Sequence, residues 1–119
     1  MNWYKIAQDE KMIGYKVMLL ENGELVSGAD SRQVLPMQIG AIHEMYGNGI
    51  YIGKTPKYVK DYYSFREEPD DPQEVLITYE FDPQEATTGN INDREWEVSV
   101  PKAKVVNIEV INELVQNIW

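Results

Sequence analysis

Apolar positions along this chain fall mostly in short runs with a two-residue beat, and only once in a four-residue one. The first run, "MIGYKVMLL" at 12–20, is followed by "ENGE" and then "LVSG". It predicts two strands joined at Asn22-Gly23, a pair suited to the positive φ angles of a two-residue hairpin turn. Residues 29–44 carry polar punctuation, Pro36 and Gly40, and read as irregular with a short strand near Met37–Ile42. After Gly47-Asn48-Gly49, the triplet Ile50-Tyr51-Ile52 suits another short strand.

The four-residue beat comes next. Thr55-Pro56 supplies a capping hydroxyl and a proline at the first helical position. Tyr58 with Tyr62, and Val59 with Tyr63, then lie along shared faces of a helix running to about residue 64. The acidic, proline-broken "REEPDDPQE" is a loop. "EVLITYEF" at 74–81 predicts a well-buried strand that stops at Asp82-Pro83. Residues 82–94 form a polar connection with a turn at Gly89-Asn90. "REWEVSV" alternates, with Trp96, Val98 and Val100 on a core face and Glu95, Glu97 and Ser99 on the other. Pro101 interrupts the ladder before "KVVNIEVI" resumes as the last strand, and "NELVQNIW" ends the chain as a short helix.

This pattern predicts a single α+β domain over 1–119, mostly antiparallel β with one main central helix, and with 1–11 and 112–119 as peripheral tails. A chain of 119 residues is one domain's worth. With no long apolar run, no membrane span is expected. The opening "MNWYKIAQDEKM" lacks the charge and apolar pattern of a secretion signal, so a cytoplasmic protein is expected. Twenty acidic against eleven basic side chains give a net charge of −9. That balance disfavours nucleic acid, whose phosphates need clustered Lys and Arg. The acidic shell reads first as a solvated surface, and second as a face for a basic partner.

Candidate chemistry is sparse. There is no cysteine and His43 is the single histidine, so no metal site is expected, and His43 reads as a histidine without a catalytic part. The glycines of "GNGIYIG" do not have Walker-loop spacing and read as a turn. Strand geometry would set Glu95 and Glu97 on one face about 7 Å apart. Like charges so close repel unless the face is solvated or one carboxylate meets a ligand hydroxyl or a developing cation. Aromatics on a short amphipathic helix are ordinarily packing residues.

Two segments carry a resemblance. "YGNGIYIGKTPKYVKDYY" looks like the segment of the ADP-ribosyltransferase superfamily, in its poly(ADP-ribose) polymerase branch, where a Gly-Lys-Gly-Ile-Tyr turn leads into a helix ending near an Asn-Tyr pair. "EWEVSVP" at 95–101 resembles the Glu-x-Glu-Val-Leu-Ile-Pro strand of the toxin branch. The resemblance implies two small packed sheets forming a cleft that binds NAD as substrate. Tyr51 and Tyr62 would hold nicotinamide, with Gly49 allowing close backbone approach. Glu97 would be the catalytic carboxylate on the nicotinamide ribose, and Glu95 the one that positions a macromolecular acceptor, most simply a protein. Where the family presents His or Arg on its first core strand this chain has Lys16, with Ser27-Gly28 in place of a His-Gly pair and Arg32 in the next loop.

The chemistry is consistent with those residue types. Breaking the nicotinamide bond builds an oxocarbenium-like cation that a nearby carboxylate stabilises, and an aromatic wall orients the flat leaving group. The alternative expectation keeps the fold without catalysis: an acidic interaction module of the kind a phage or other mobile element carries. An RNA-modifying relative of the same superfamily is disfavoured by the acid excess.

Overall fold

A computed structural model describes residues 10–27, 33–45, 47, 49–63, 73–88, 91 and 95–111, except for the side chains of Tyr62 and Tyr63. The elements run β1 (Met12–Glu21), β2 (Glu24–Val26), β3 (Val34–Leu35), β4 (Ile42–Glu44), β5 (Ile50–Gly53), α1 (Pro56–Tyr63), β6 (Gln73–Phe81), β7 (Glu97–Val100) and β8 (Lys102–Ile111), with a 3-10 turn at Pro83–Glu85. All the strand pairs are antiparallel. The expectation of a mostly antiparallel sheet with one short helix therefore holds for the described residues.

The local signals explain the elements. Asn22 (φ 53°) and Gly23 (φ 80°) both adopt left-handed backbone and set Glu21 opposite Glu24, the geometry of a hairpin whose turn twist matches its strands. Val26 and Leu25 then pair with Leu19 and Leu20. At Asp82 the side chain accepts the Gln84 N–H at 2.9 Å, and Pro83 lacks the N–H that would continue the β6 ladder. One strand was misplaced by the sequence pattern. The strand expected near Met37–Ile42 is instead two shorter ones, Val34–Leu35 and Ile42–Glu44. Between them Pro36 breaks the ladder and Gly40 turns at φ 94°, so Met37 and Ile39 stay exposed despite their apolar letters.

The main path of the sheet is β3-β2-β1-β6-β8-β4, and its two ends are joined by residues 36–41 alone. So short a connection forces the sheet to curl until β3 and β4 face each other. The closing contacts at this seam are made by side chains: Gln33 Nε2 donates to the Glu44 carbonyl at 2.7 Å, and His43 Nε2 donates to the Pro36 carbonyl at 2.7 Å. β5 and β7 pair as a ribbon that folds over the curled sheet, still joined to it by the Tyr15–Gly53 pair. All eight strands thus belong to one connected sheet, which corrects the expectation of two. The reason is that Pro101 makes a corner without ending the chain's participation: β7 pairs with β5, and after Pro101 β8 pairs with β6 and β4.

The principal core lies inside the curl. Met18, Val75, Ile77, Tyr79, Phe81, Ala103 and Val105 of the long strands meet Ile50, Ile52, Val98 and Val100 of the ribbon. Burying each such side chain contributes roughly 1.5–3 kcal/mol. β6 is buried on both faces: Val75, Ile77, Tyr79 and Phe81 belong to this core, whereas Leu76 joins a smaller cluster with Val17, Val59 and Ile111 under α1. The helix begins as its sequence predicts, with the Tyr58 N–H donating to Thr55 Oγ1 at 3.1 Å. Val59 is its buried anchor, Tyr58 packs at the margin, and Lys57 and Asp61 pair on the exposed side.

Candidate functional site

The ribbon carries two of the sequence-predicted site residues, Tyr51 on β5 and Glu97 on β7. Tyr51 stands opposite Ser99, and Gly53 opposite Glu97. Because alternate residues share a face, Tyr51, Gly53, Glu97 and Ser99 lie on one side of the ribbon, while Ile50, Ile52, Val98 and Val100 occupy the core side. Tyr51 is partly buried, and Glu97 and Ser99 are buried at 4% and 5% exposure. The far edge of β7 is covered by Thr87, which exchanges two backbone hydrogen bonds with Ser99, each 2.9 Å.

The glycines around Tyr51 serve this packing. Gly49 has φ 84°, and a Cβ there would come within 2.5 Å of the Val100 carbonyl oxygen, so the close approach it allows is to β7. A Cβ at Gly53 would lie 2.3 Å from Val59 Cγ1. The bare backbone of Gly53 is what lets α1 seat against the ribbon.

Glu95 and Trp96 differ from expectation. β7 begins at Glu97, so Glu95 sits in the preceding turn, exposed, and the two carboxylates do not share a strand face. Trp96 was expected in the core but is 40% exposed. It stacks on Tyr58 with ring centroids 5.9 Å apart and planes 14° from parallel. Lys54 Nζ lies 5.2 Å from its ring centroid, and the Lys54 N–H donates to the Trp96 carbonyl at 2.7 Å. The alternation of "REWEVSV" was carried too far: β7 begins at Glu97, and residues 95 and 96 form a turn beside the start of α1.

Lys16 approaches the site from β1. That strand's outer edge pairs with β5 at Tyr15 and with β2 from Leu19 onward, leaving Lys16 in the fork between them. Burial pushes its ammonium pKa down, and the Glu97 carboxylate partly restores it. Lys16 and Glu97 are therefore electrostatic neighbours although they come from the first and seventh strands. Ser27, buried at 2% exposure, follows β2 where the register continues toward Met18, and its hydroxyl accepts the Gln33 N–H at 3.2 Å. Tyr62 belongs to α1, but its side chain lies outside the described residues, as do Arg32, the Gly89-Asn90 turn and the terminal segment 112–119.

The structure buries a polar group that the sequence reading set down as a histidine without a catalytic part. His43 is fully buried, with Nδ1 2.6 Å from the Tyr79 hydroxyl and Nε2 2.7 Å from the Pro36 carbonyl. A carbonyl only accepts, so Nε2 carries the proton, and in the neutral ring Nδ1 accepts from the Tyr79 hydroxyl. Burial lowers the His43 pKa, against a smaller upward effect of the Pro36 bond, and burial raises that of Tyr79. Its visible signal was the alternation Ile42-His43-Glu44 with an aromatic at 79 on the central strand, which the irregular reading of 29–44 hid.

Among the described residues no group of three or more His, Asp or Glu side chains is placed to hold a metal, and no helix is long and apolar enough to cross a membrane. Comparison with protein-family models, with curated proteins and with solved structures gives no match.

Proposed function

We propose that this chain is an ADP-ribosyltransferase-like protein that takes NAD as substrate and passes ADP-ribose to a macromolecular acceptor. The observation that supports this reading is the shared ribbon face of Tyr51 and Glu97, with Lys16 electrostatically beside the carboxylate. In this reading the fork on β1 and the overlying ribbon form the two lips of an NAD cleft. Tyr51, with Tyr62 from α1, stacks on the nicotinamide. The glycosidic bond to nicotinamide breaks, its electron pair leaves with the ring, and Glu97 stabilises the cation developing on the ribose. Lys16 and Ser27 serve the phosphate and ribose end, Lys16 as a point charge without arginine's fork, and the exposed Glu95 faces the acceptor.

The test is titration with NAD while free nicotinamide is measured. The parent chain should bind NAD and release nicotinamide. Glu97→Gln, which keeps shape and removes charge, should slow release about 100-fold while binding persists. A parent chain that neither binds NAD nor releases nicotinamide would end the proposal.

A second reading is favoured by a different observation. Four of the seven exposed large apolar side chains among the described residues, Val34, Met37, Ile39 and Ile42, fall within one short stretch at the seam, on a chain of net charge −9. That surface suits a non-catalytic interaction module. Salt-sensitive capture of a basic protein, unchanged by Glu97→Gln or by excess NAD, would favour it over the enzyme.

A further inference from the structure

The outer face of the curled sheet is covered at one end and bare at the other. Where it is covered, Val17, Leu76 and Ile111 lie under α1 and its anchor Val59. Toward the other end, register partners form a row across four strands: Ile42 stands opposite Lys104, Lys104 opposite Glu80, and Glu80 opposite Ile13. Register partners project from the same face. It is the outer one, because His43, Ala103 and Tyr79, one residue away on their strands, are buried. A parallel row sets Glu44 opposite Lys102.

Beside Ile42 the seam adds Val34, Met37 and Ile39. The Gly40 N–H bonds to the Val105 carbonyl at 2.7 Å, which holds this connection against β8. Ile13 and these four seam residues are five of the seven exposed large apolar side chains among the described residues. The charges of the two rows are also uncommitted. Ion pairs among the described residues join Lys11 to Asp82 and Lys57 to Asp61; Lys102, Lys104, Glu44 and Glu80 make none.

We propose that two copies of this chain associate through this face around a two-fold axis. The charges decide the occupant. A two-fold interface sets a patch against itself, so the patch must carry both signs in balance. Here two lysines stand with two glutamates among isoleucines. A basic partner, which the net charge of −9 alone suggests, would meet Lys102 and Lys104 directly beside the apolar stretch. An acidic partner would be repelled by the molecule as a whole. A second copy sets the lysines of each chain against the glutamates of the other and buries Met37, Ile39 and Ile42 between them. Tyr51 and Glu97 are not on this face, so the association holds whether or not the chain uses NAD.

Sedimentation equilibrium of the full chain from about 1 μM to 1 mM tests the association. The parent should pass from monomer to dimer in that range. Ile39→Asp and Ile42→Asp each place a carboxylate in the apolar part of the face and should raise the dissociation constant by about 30-fold or more. Both positions are more than half exposed, at 62% and 52%, so the fold should tolerate the change, and an unaltered circular dichroism spectrum checks that it does.

Charge reversal then reads the two-fold arrangement itself. Lys102→Glu combined with Lys104→Glu leaves the face entirely negative, and Glu44→Lys leaves it mainly positive. Each variant should self-associate more weakly than the parent, while an equimolar mixture of the two should form a heterodimer tighter than either homodimer. Three results would overturn the proposal: a parent that stays monomeric at about 1 mM, a dimer that both Asp variants leave at parent strength, or a mixture no tighter than its components. A monomeric parent that takes up polylysine, less so with Glu44→Lys, would give the face to a basic partner instead.

Discussion

At Lys16 two effects oppose one another: burial removes the water that would solvate the ammonium, and the Glu97 carboxylate returns part of what is lost. Burial dominates, so the folded pKa lies below the ordinary 10.5. In the window between that lowered value and 10.5 the unfolded chain binds the proton more often than the folded one, and stability contributed by this residue rises with pH. Urea midpoints of the parent and of Lys16→Met between about pH 8 and 9.5 test this. The difference should move in favour of the parent as pH rises, and a flat difference would mean that the ammonium is solvated. This electrostatic neighbourhood could not be read from the sequence, where residues 16 and 97 are far apart and only alternation and acidity were visible.

Among the elements, α1 shows how much a short segment can specify by itself. Thr55 caps it, Pro56 occupies the first turn without losing a needed N–H, and Val59 anchors it. An isolated helix of eight residues is unstable in water, so its cap and its buried anchor Val59 carry weight. Thr55→Ala should cost about 1 kcal/mol, read as a lower urea midpoint with unchanged slope. A midpoint within error of the parent would place the stability of α1 in its packing alone. The hairpin at Asn22-Gly23 was equally legible, because positive φ at two successive residues is a local demand. β7 was not: it starts after a turn in which Trp96 stacks on Tyr58, a contact made across 38 residues of sequence.

At the scale of the whole molecule, closure is the organising event. Strand letters predicted antiparallel pairs, but the sheet path brings the early strands β3 and β4 to opposite ends and then curls them together. Tyr79, on the central strand β6, reaches past β8 to hold His43 of β4. Tyr79→Phe keeps the ring and removes the hydroxyl, leaving Nδ1 buried without its donor. We expect a loss of about 1–3 kcal/mol in unfolding free energy at pH 7.5, measured by urea denaturation. A loss near zero would mean that the hydroxyl contributes nothing net to closure.

The sequence by itself determined the antiparallel, mostly β character of the chain, the hairpin, the capped helix, the buried central strand and the Pro101 break. Each of these rests on backbone preferences and hydrophobic periodicity that act within a few residues. Only the tertiary structure decided that the strands form one connected sheet, that Trp96 is outside and His43 inside, and that Lys16 comes within electrostatic reach of Glu97. Those outcomes depend on which distant strands pair, and pairing is settled by burial summed over the whole chain, a quantity that no local stretch of letters contains.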